Sequence, residues 1–349
     1  MTKAAELAKM GEVLTNSQIG GRRNIIINGA MQVAQRATSA TNVFATNAYF
    51  TIDRMYMLGS TNGRLTMSQE TDAPNGFANS LKLSCTTADT SIASSEYGLF
   101  AYYMEGQDLQ QLKKGTSDAE TVTVSFYVKG NASATYTCEF RDTEHTRYIS
   151  QEFSVTTSWN RIILTFNGDT TGALSNDTSG RLYIYFWLHS GSTYDGGTHT
   201  SNTWHTTHAN RVSDNQTSIL DSTDRTFFIT GLQMELGSQA TPFEHRSFGE
   251  ELALCYRYFQ YHVSTSTAAR YYADQYSSGT LVLDKHHSPM RAVATGTVIG
   301  TWTISNVTGQ PSLYVGTEHS HYLAKPVSST GRAYFYAGQN DGVSLDAEL

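Results

Sequence analysis

Apolar and polar residues alternate at period two over most of the stretch from Asn24 to Arg246. Val122, Val124, Phe126 and Val128 interleave with Thr123, Ser125, Tyr127 and Lys129. Ile162, Leu164 and Phe166 interleave with Ile163 and Thr165, and that run stops at Asn167-Gly168. Leu182, Ile184, Phe186 and Leu188 interleave with Tyr183, Tyr185, Trp187 and His189. Successive side chains of a strand point to opposite faces, so each run predicts a strand with one face against a core. Asn-Gly pairs at 28–29, 62–63, 75–76 and 167–168 supply residues that tolerate the positive φ of tight turns. Many short strands without helical interruption predict an all-β sandwich or jelly roll over residues 24–246, long enough to bury its own core.

The last run of this stretch has a break in it. Phe227, Phe228 and Ile229 are strand formers. Gly231 then interrupts the alternation and predicts a β-bulge. Beyond it Leu232, Met234 and Leu236 take one face, and Gln233 and Glu235 the other. Gly237 ends the run and Pro242 sets the exit direction.

The period changes outside this stretch. Leu7, Met10 and Leu14 fall at a-d-a spacing within residues 4–14, a seam that three chains can pack. The alternative is a short anchoring peptide with no coiled coil. Isolated helices below about 12–15 residues rarely hold in water, so either form needs a partner. Gly20-Gly21 separates this N-terminal anchor, residues 1–23, from the first strand. Ser247-Phe-Gly-Glu250 has the spacing of a capping box, and Leu252, Cys255, Tyr256 and Phe259 share a helical face. Together they predict a connecting helix over 247–261. Residues 262–349 return to strands at Arg270–Tyr276, Thr280–Leu283, Thr295–Ile304, Ser312–Val315 and Arg332–Ala337, a smaller C-terminal β domain.

Composition narrows the function. Only 16% of the 349 residues are charged, whereas Tyr (21) and Gly (28) are abundant, as suits strands and turns. A net charge of -7 leaves no cationic footprint for nucleic acid or acidic membrane. No run approaches the roughly 20 apolar residues that span a bilayer, and the N-terminus lacks the apolar core of a signal peptide. Cys85, Cys138 and Cys255 are odd in number and far apart, which argues against a disulfide framework and for folding in a reducing cytoplasm.

Several segments resemble, in order, parts of tailed-phage virion proteins, in particular fibre-like proteins of marine and cyanobacterial phages. They are Asn24-Ile-Ile-Ile-Asn-Gly-Ala-Met-Gln-Val-Ala-Gln-Arg36, Asp53-Arg54, Pro74-Asn-Gly-Phe77, Val124-Ser-Phe-Tyr-Val-Lys129, and the junction from Ile229 to about Tyr258. The ending Gly342 to Leu349 is similar to acidic, hydrophobic tails of the same proteins. The resemblance implies a carbohydrate-binding-module-like jelly roll, made in the host cytoplasm and carried in the virion. It implies a homotrimeric tail fibre or fibre tip, attached by its N-terminus to other tail or head proteins and touching host surface polysaccharide. A head (capsid) or neck fibre with a structural role, and a glycan depolymerase, are the alternatives.

Tyr183, Tyr185 and Trp187 stand on one face of one strand and are candidates for a platform on which sugar rings stack, with His189, Asn202 and Arg141 as polar partners. The competing reading is that both faces of that strand are buried. Trp204, in a Gly-rich loop, either binds ligand or pins the loop. His319 and His321 point to one side of a strand, and on a trimer axis three such pairs offer six nitrogens to iron, zinc or nickel, as in some phage fibres; two exposed histidines are the plain alternative. His199, His205 and His208 offer imidazoles in the long loop. The resemblance implies a structural calcium, for which Asp53 and Glu235 are candidates, an ordinary hydrogen bond or arginine pair being the alternative. Glu96, Glu105, Asp108 and Glu235 lie in or near strands, but no spacing pairs two of them for glycoside hydrolysis. No nucleophile-elbow, phosphate-loop, dinucleotide or metalloprotease motif is present, and a non-enzymatic protein is expected.

Overall fold

The computed structural model describes residues 3–4, 23–263, 269–275, 280–316, 320–326, 331–337 and 340–349, without the side chains of 269–275, 280–285, 320–326 and 331–336. The described chain forms two units, the first ending at Phe248 and the second starting at Gly249.

The first unit is the expected all-β jelly-roll sandwich. One sheet holds β1 (Ser39–Val43), β4 (Arg64–Glu70), β5 (Ser80–Thr87), β7 (Val122–Gly130), β10 (Asn160–Phe166) and β12 (Thr226–Leu236), in the order β1-β4-β5-β12-β7-β10. The other holds β2 (Ala48–Tyr49), β3 (Tyr56–Ser60), β6 (Tyr97–Glu105), β8 (Ala134–Asp142), β9 (Arg147–Val155) and β11 (Gly180–Ser190), in the order β2-β3-β6-β11-β8-β9. Neighbouring strands pair antiparallel throughout.

One apolar core lies between the sheets. Val122, Val124, Phe126 and Val128 meet Leu182, Ile184, Phe186 and Leu188 there, the inward sets that the alternation predicts. Aromatic pairs bridge the layers: Phe126 stands edge-on to Phe186 at 5.1 Å, Phe140 to Phe166 at 4.8 Å and Tyr136 to Phe227 at 5.5 Å. Each such ring contributes about 1.5–3 kcal/mol by leaving water, so the seam between the sheets is the main source of stability.

The bulge in β12 is present. Its register shifts between Thr230 and Gln233, with Gly231 at φ +63°, a conformation that a side chain resists. The displaced backbone meets the start of the domain. Leu232 N–H donates to Gly29 O at 2.9 Å, and Ile25 N–H to Met234 O at 3.0 Å. Asn28, buried at φ +61°, donates from Nδ2 to Val33 O and Asp53 O and accepts from Val33 N–H. Arg246 Nη1 donates to Ile26 O, and Glu244 accepts from Asn24 N–H. The two ends of the sandwich are thus tied into one knot.

α2 covers Phe248–Cys255, all but its first residue in the second unit, and is shorter than the expected 247–261. The last amides tighten, with Arg257 N–H bonding Leu254 O and Tyr258 N–H bonding Cys255 O. Phe259, placed on the helix by its spacing, instead opens β13 (Phe259–Val263), whose pairing with the C-terminal strand β21 (Gly342–Asp346) replaces further helical turns. β21 also pairs with β16 (Thr295–Ile299). Two further three-stranded sheets hold β14 (Ala269–Gln275), β20 (Gly331–Ala337) and β17 (Thr303–Ser305), and β15 (Thr280–His286), β19 (Ser320–Pro326) and β18 (Ser312–Val315). The run expected as one strand over Thr295–Ile304 is divided at Gly300, whose φ of +78° cannot continue a strand. Ala294, Leu345 and Ala347 form a small core with Met290, Leu313 and Val315. Cys85, Cys138 and Cys255 are buried, and none is in a disulfide. Among the described residues no helix is long and apolar enough to cross a membrane.

Candidate functional site

The outward side chains of the β2-β3-β6-β11-β8-β9 sheet make a broad aromatic face in two zones. The first zone lies under the connection from β11 to β12, residues 191–225, which includes the short helix α1 (Ser192–Asp195). This connection lies on the sheet as a lid. Ile219 N–H donates to Leu188 O at 2.7 Å, Thr217 N–H to Thr135 O at 2.8 Å, and Asn202 N–H to Ser150 O at 2.9 Å. His205 and Tyr148 exchange two backbone bonds.

The lid's anchor is Arg211, 3% exposed. Its Nε donates to Glu139 Oε1 at 2.7 Å and its Nη2 to Oε2 at 3.0 Å, a bidentate fork. The guanidinium also lies 4.3 Å from the Tyr148 ring centre and 4.9 Å from that of Trp187. Trp187 Nε1–H donates to the same Glu139 carboxylate at 2.5 Å, and Tyr194 of the lid packs on the indole at 5.1 Å.

Tyr185 and Trp187 are therefore 2% and 1% exposed and form no platform at the surface. Their face of β11 is covered by the chain's own lid. Burial pushes the Tyr185 phenol up to about 12, against the pull of Arg141, which donates to its hydroxyl at 3.2 Å. Asn202 caps Asn167 at the lid's edge. Trp204 is half-buried; its Nε1–H donates to Asn167 O at 2.8 Å, the Lys114 ammonium lies 5.4 Å from its ring centre, and it packs on the core. It pins the loop.

The second zone is uncovered by the lid. Tyr183 stays half-buried and joins a row that alternation along one strand cannot show. Tyr49 of β2, Tyr56 of β3, Tyr103 of β6 and Tyr183 of β11 follow one another across the sheet, with ring centres 4.8, 5.2 and 4.0 Å apart. Tyr103 is buried, whereas Tyr49, Tyr56 and Tyr183 each keep part of the ring at the surface. The Arg36 guanidinium lies 5.2 Å from the Tyr49 ring centre and ends the row. Tyr49 and Tyr56 are direct cross-strand partners, as are Tyr103 and Tyr183, whereas Tyr56 pairs with Ala101 and reaches Tyr103 on the diagonal, within range of an aromatic ring. Such a row presents aromatic faces for C–H stacking and phenol and guanidinium groups for hydroxyls.

The calcium candidates are occupied by the chain's own donors. Asp53 accepts from Gln35 N–H at 3.0 Å and from the Gln35 side chain, with Arg36 at 3.9 Å. Glu235 accepts from Gln233 Nε2 at 2.7 Å, from Thr241 N–H at 3.1 Å and from the Thr241 hydroxyl. The structure does not unite them in a cluster of three donors. Among the described residues one such cluster exists, Asp89, Glu96 and His189. Leu7, Met10, Leu14 and His319 lie outside the described residues, and His321 is described only as backbone in β19.

Burial holds the imidazoles of His199 and His205 below their ordinary range, opposed by Glu152 and Asp214 at His199 and reinforced by His199, Arg211 and Arg147 at His205. The exposed His208 is lowered in the same way, by burial of part of its ring and then by Arg211, against Glu139. The unfolded chain takes up these protons first, near pH 6.5. Stability is then complete above that pH and falls as pH drops through the depressed values. Melting scans should show a plateau at pH 7–8 and a decline below about 6.5, smaller in a His199→Gln/His205→Gln double variant. A flat profile down to pH 5 in the wild type would contradict this assignment.

No protein-family model and no curated protein matches the chain. Solved structures with similarity include a family 4 carbohydrate-binding module, at 14% identity and TM-score 0.32 over 60% of this chain and 97% of that one. A family 11 carbohydrate-binding module of a cellulosomal cellulase of Clostridium thermocellum matches at 10% identity and TM-score 0.30, over 60% and 99%. The enzymatically active domain of bacteriophage CBA120 tailspike protein 4 matches at 14% identity and TM-score 0.31, over 61% of this chain and 21% of that one.

Proposed function

We propose that this chain is a fibre component of a tailed-phage particle whose sandwich binds a host-surface glycan along the Tyr49–Tyr56–Tyr183 row. The observation that carries the binding reading is the row itself: three partly exposed rings and one buried ring in contact, on the sheet face that the lid leaves open. The virion reading rests on the ordered segments from Asn24 to about Tyr258, which resemble fibre-like phage proteins. Residues 1–23, with Leu7, Met10 and Leu14, would serve trimer assembly and attachment to the particle.

Glycan arrays and calorimetry with host polysaccharide test the binding reading. Tyr56→Ala and Tyr183→Ala should each weaken binding about tenfold, the equivalent of losing about 1.4 kcal/mol of stacking, with the fold intact. Trp187→Phe, beneath the lid, should leave affinity unchanged. No binding by the wild type would return the protein to a purely structural head, neck or tail fibre. Release of reducing ends from the polysaccharide would make it a depolymerase.

A further inference from the structure

Far from the tyrosine row, the connection from β5 to β6 brings two carboxylates to the end of β11. Asp89 and Glu96 are 7% and 9% exposed, and His189 is fully buried. One donor atom from each lies within 4.8 Å of the others. Among the described residues neither carboxylate has a lysine or arginine partner; the ion pair recorded for Glu96 is His189 itself, at 3.8 Å.

The imidazole is the telling group. Its Nδ1 lies 2.7 Å from Ser218 Oγ, while its Nε2 is buried with no hydrogen-bond partner. Neither tautomer repairs this. With the proton on Nδ1, the bare Nε2 lone pair faces a carboxylate. With the proton on Nε2, the nearest acceptor, Glu96 Oε2, is beyond hydrogen-bond reach. A buried imidazole nitrogen left unmatched against two carboxylates is costly, and a cation between them removes both costs at once.

We propose that Asp89, Glu96 and His189 form a binding site for one divalent first-row transition ion, with zinc the best fit. One imidazole and two carboxylates suit zinc, whose nitrogen and oxygen ligands lie about 2.0–2.2 Å from the metal and so about 3.4 Å from one another. The present separations close to that with small side-chain shifts. The surrounding bonds already orient the ligands. Ser218 Oγ accepts from Leu220 N–H at 3.0 Å and can accept from His189 Nδ1–H, leaving Nε2 as the donor to metal. Asp89 Oδ2 accepts from Thr61 Oγ1–H at 2.7 Å and Asn62 N–H at 3.0 Å, and Glu96 Oε2 from Ala93 N–H at 2.8 Å. The ion would rivet the β5–β6 connection and the lid's last residues to the end of β11, since Asp89 N–H also bonds Leu220 O at 2.8 Å.

The test uses the full chain stripped with chelator, then exposed to zinc chloride. Calorimetry and metal analysis after gel filtration should give one zinc per chain and a raised melting temperature. His189→Gln and the nearly isosteric Glu96→Gln should each weaken binding about 100-fold or more, whereas His199→Gln should not. Cobalt substitution should give visible bands that His189→Gln abolishes. Absence of a stoichiometric zinc and of a thermal shift in the wild type would overturn the proposal. So would wild-type affinity in a folded Glu96→Gln or His189→Gln protein, which would place the ion on other histidines.

Discussion

Arg211→Ala should lower the stability of the sandwich by about 3–5 kcal/mol, the cost of leaving a buried charge without its partner. Glu139 is fully buried and would keep the Trp187 indole N–H as a donor. The same substitution removes the cation that packs between the rings of Tyr148 and Trp187. Because Arg211 is the lid's one buried anchor charge, local opening should accompany the global loss. Proteolysis should find residues 191–210, and tryptophan emission should shift red as Trp187 meets water. Replacing both partners by apolar residues, as in Arg211→Met with Glu139→Leu, should restore much of the stability, because no orphaned charge remains. A loss below about 1 kcal/mol in urea titration of Arg211→Ala would mean that the pair is solvated and behaves like a surface ion pair.

Lys114→Met should be comparably damaging, by about 3–5 kcal/mol at neutral pH. The Lys114 ammonium is buried, 2.5 Å from Asp142 Oδ2 and 3.1 Å from Asp169 Oδ2, and donates to Thr171 O and Gly172 O at 2.9 and 2.8 Å. It fastens the connection between β10 and β11 to the end of the sheet. Burial pushes the Asp169 carboxyl up, but the hydrogen bonds from Arg147 and Lys114 outweigh it and hold it below the usual range. A depressed carboxyl contributes stability above its unfolded value, about pH 3.9, and loses it as pH falls through the folded value. Without Lys114 the Asp169 carboxyl loses one of the two donors that hold it low. The gap between wild type and Lys114→Met should therefore hold from pH 7 to about pH 4 and narrow below it. A gap that stays constant down to about pH 3 would show that the lysine acts by packing its stem and not by charge.

The two variants act at different places, and their comparison separates lid from scaffold. Arg211→Ala should expose new aromatic surface beside the tyrosine row, and Lys114→Met should not. If the glycan reading holds, opening the lid would extend the aromatic face by Tyr185 and Trp187.

Much of the scaffold was legible along the chain. Period-two runs at 122–129, 162–166 and 182–189 predict strands, and their alternate apolar members face the core, whereas Ile163 on the other face is exposed. That legibility has a simple cause: burial of one strand face is a local constraint, written at every second residue. The bulge at Gly231 was legible for a similar reason, because a positive φ selects glycine at a single position. The spacing predicts helix α2 but extends it too far. Its apolar spacing continues through Phe259, and only the pairing of β13 with β21 stops it.

The candidate faces were decided elsewhere. Tyr185 and Trp187 carry the same outward signal as Tyr183, yet two are sealed and one is not, because what covers a sheet is a property of a distant loop. Tyr49, Tyr56 and Tyr183 become neighbours through the order β2-β3-β6-β11, and Asp89, Glu96 and His189 through the meeting of a connection with a strand end. Alternation by itself determined which residues of this protein face its core. Strand order and the lid decided which of the others meet water, since contacts between separated segments depend on register and closure that no local pattern encodes.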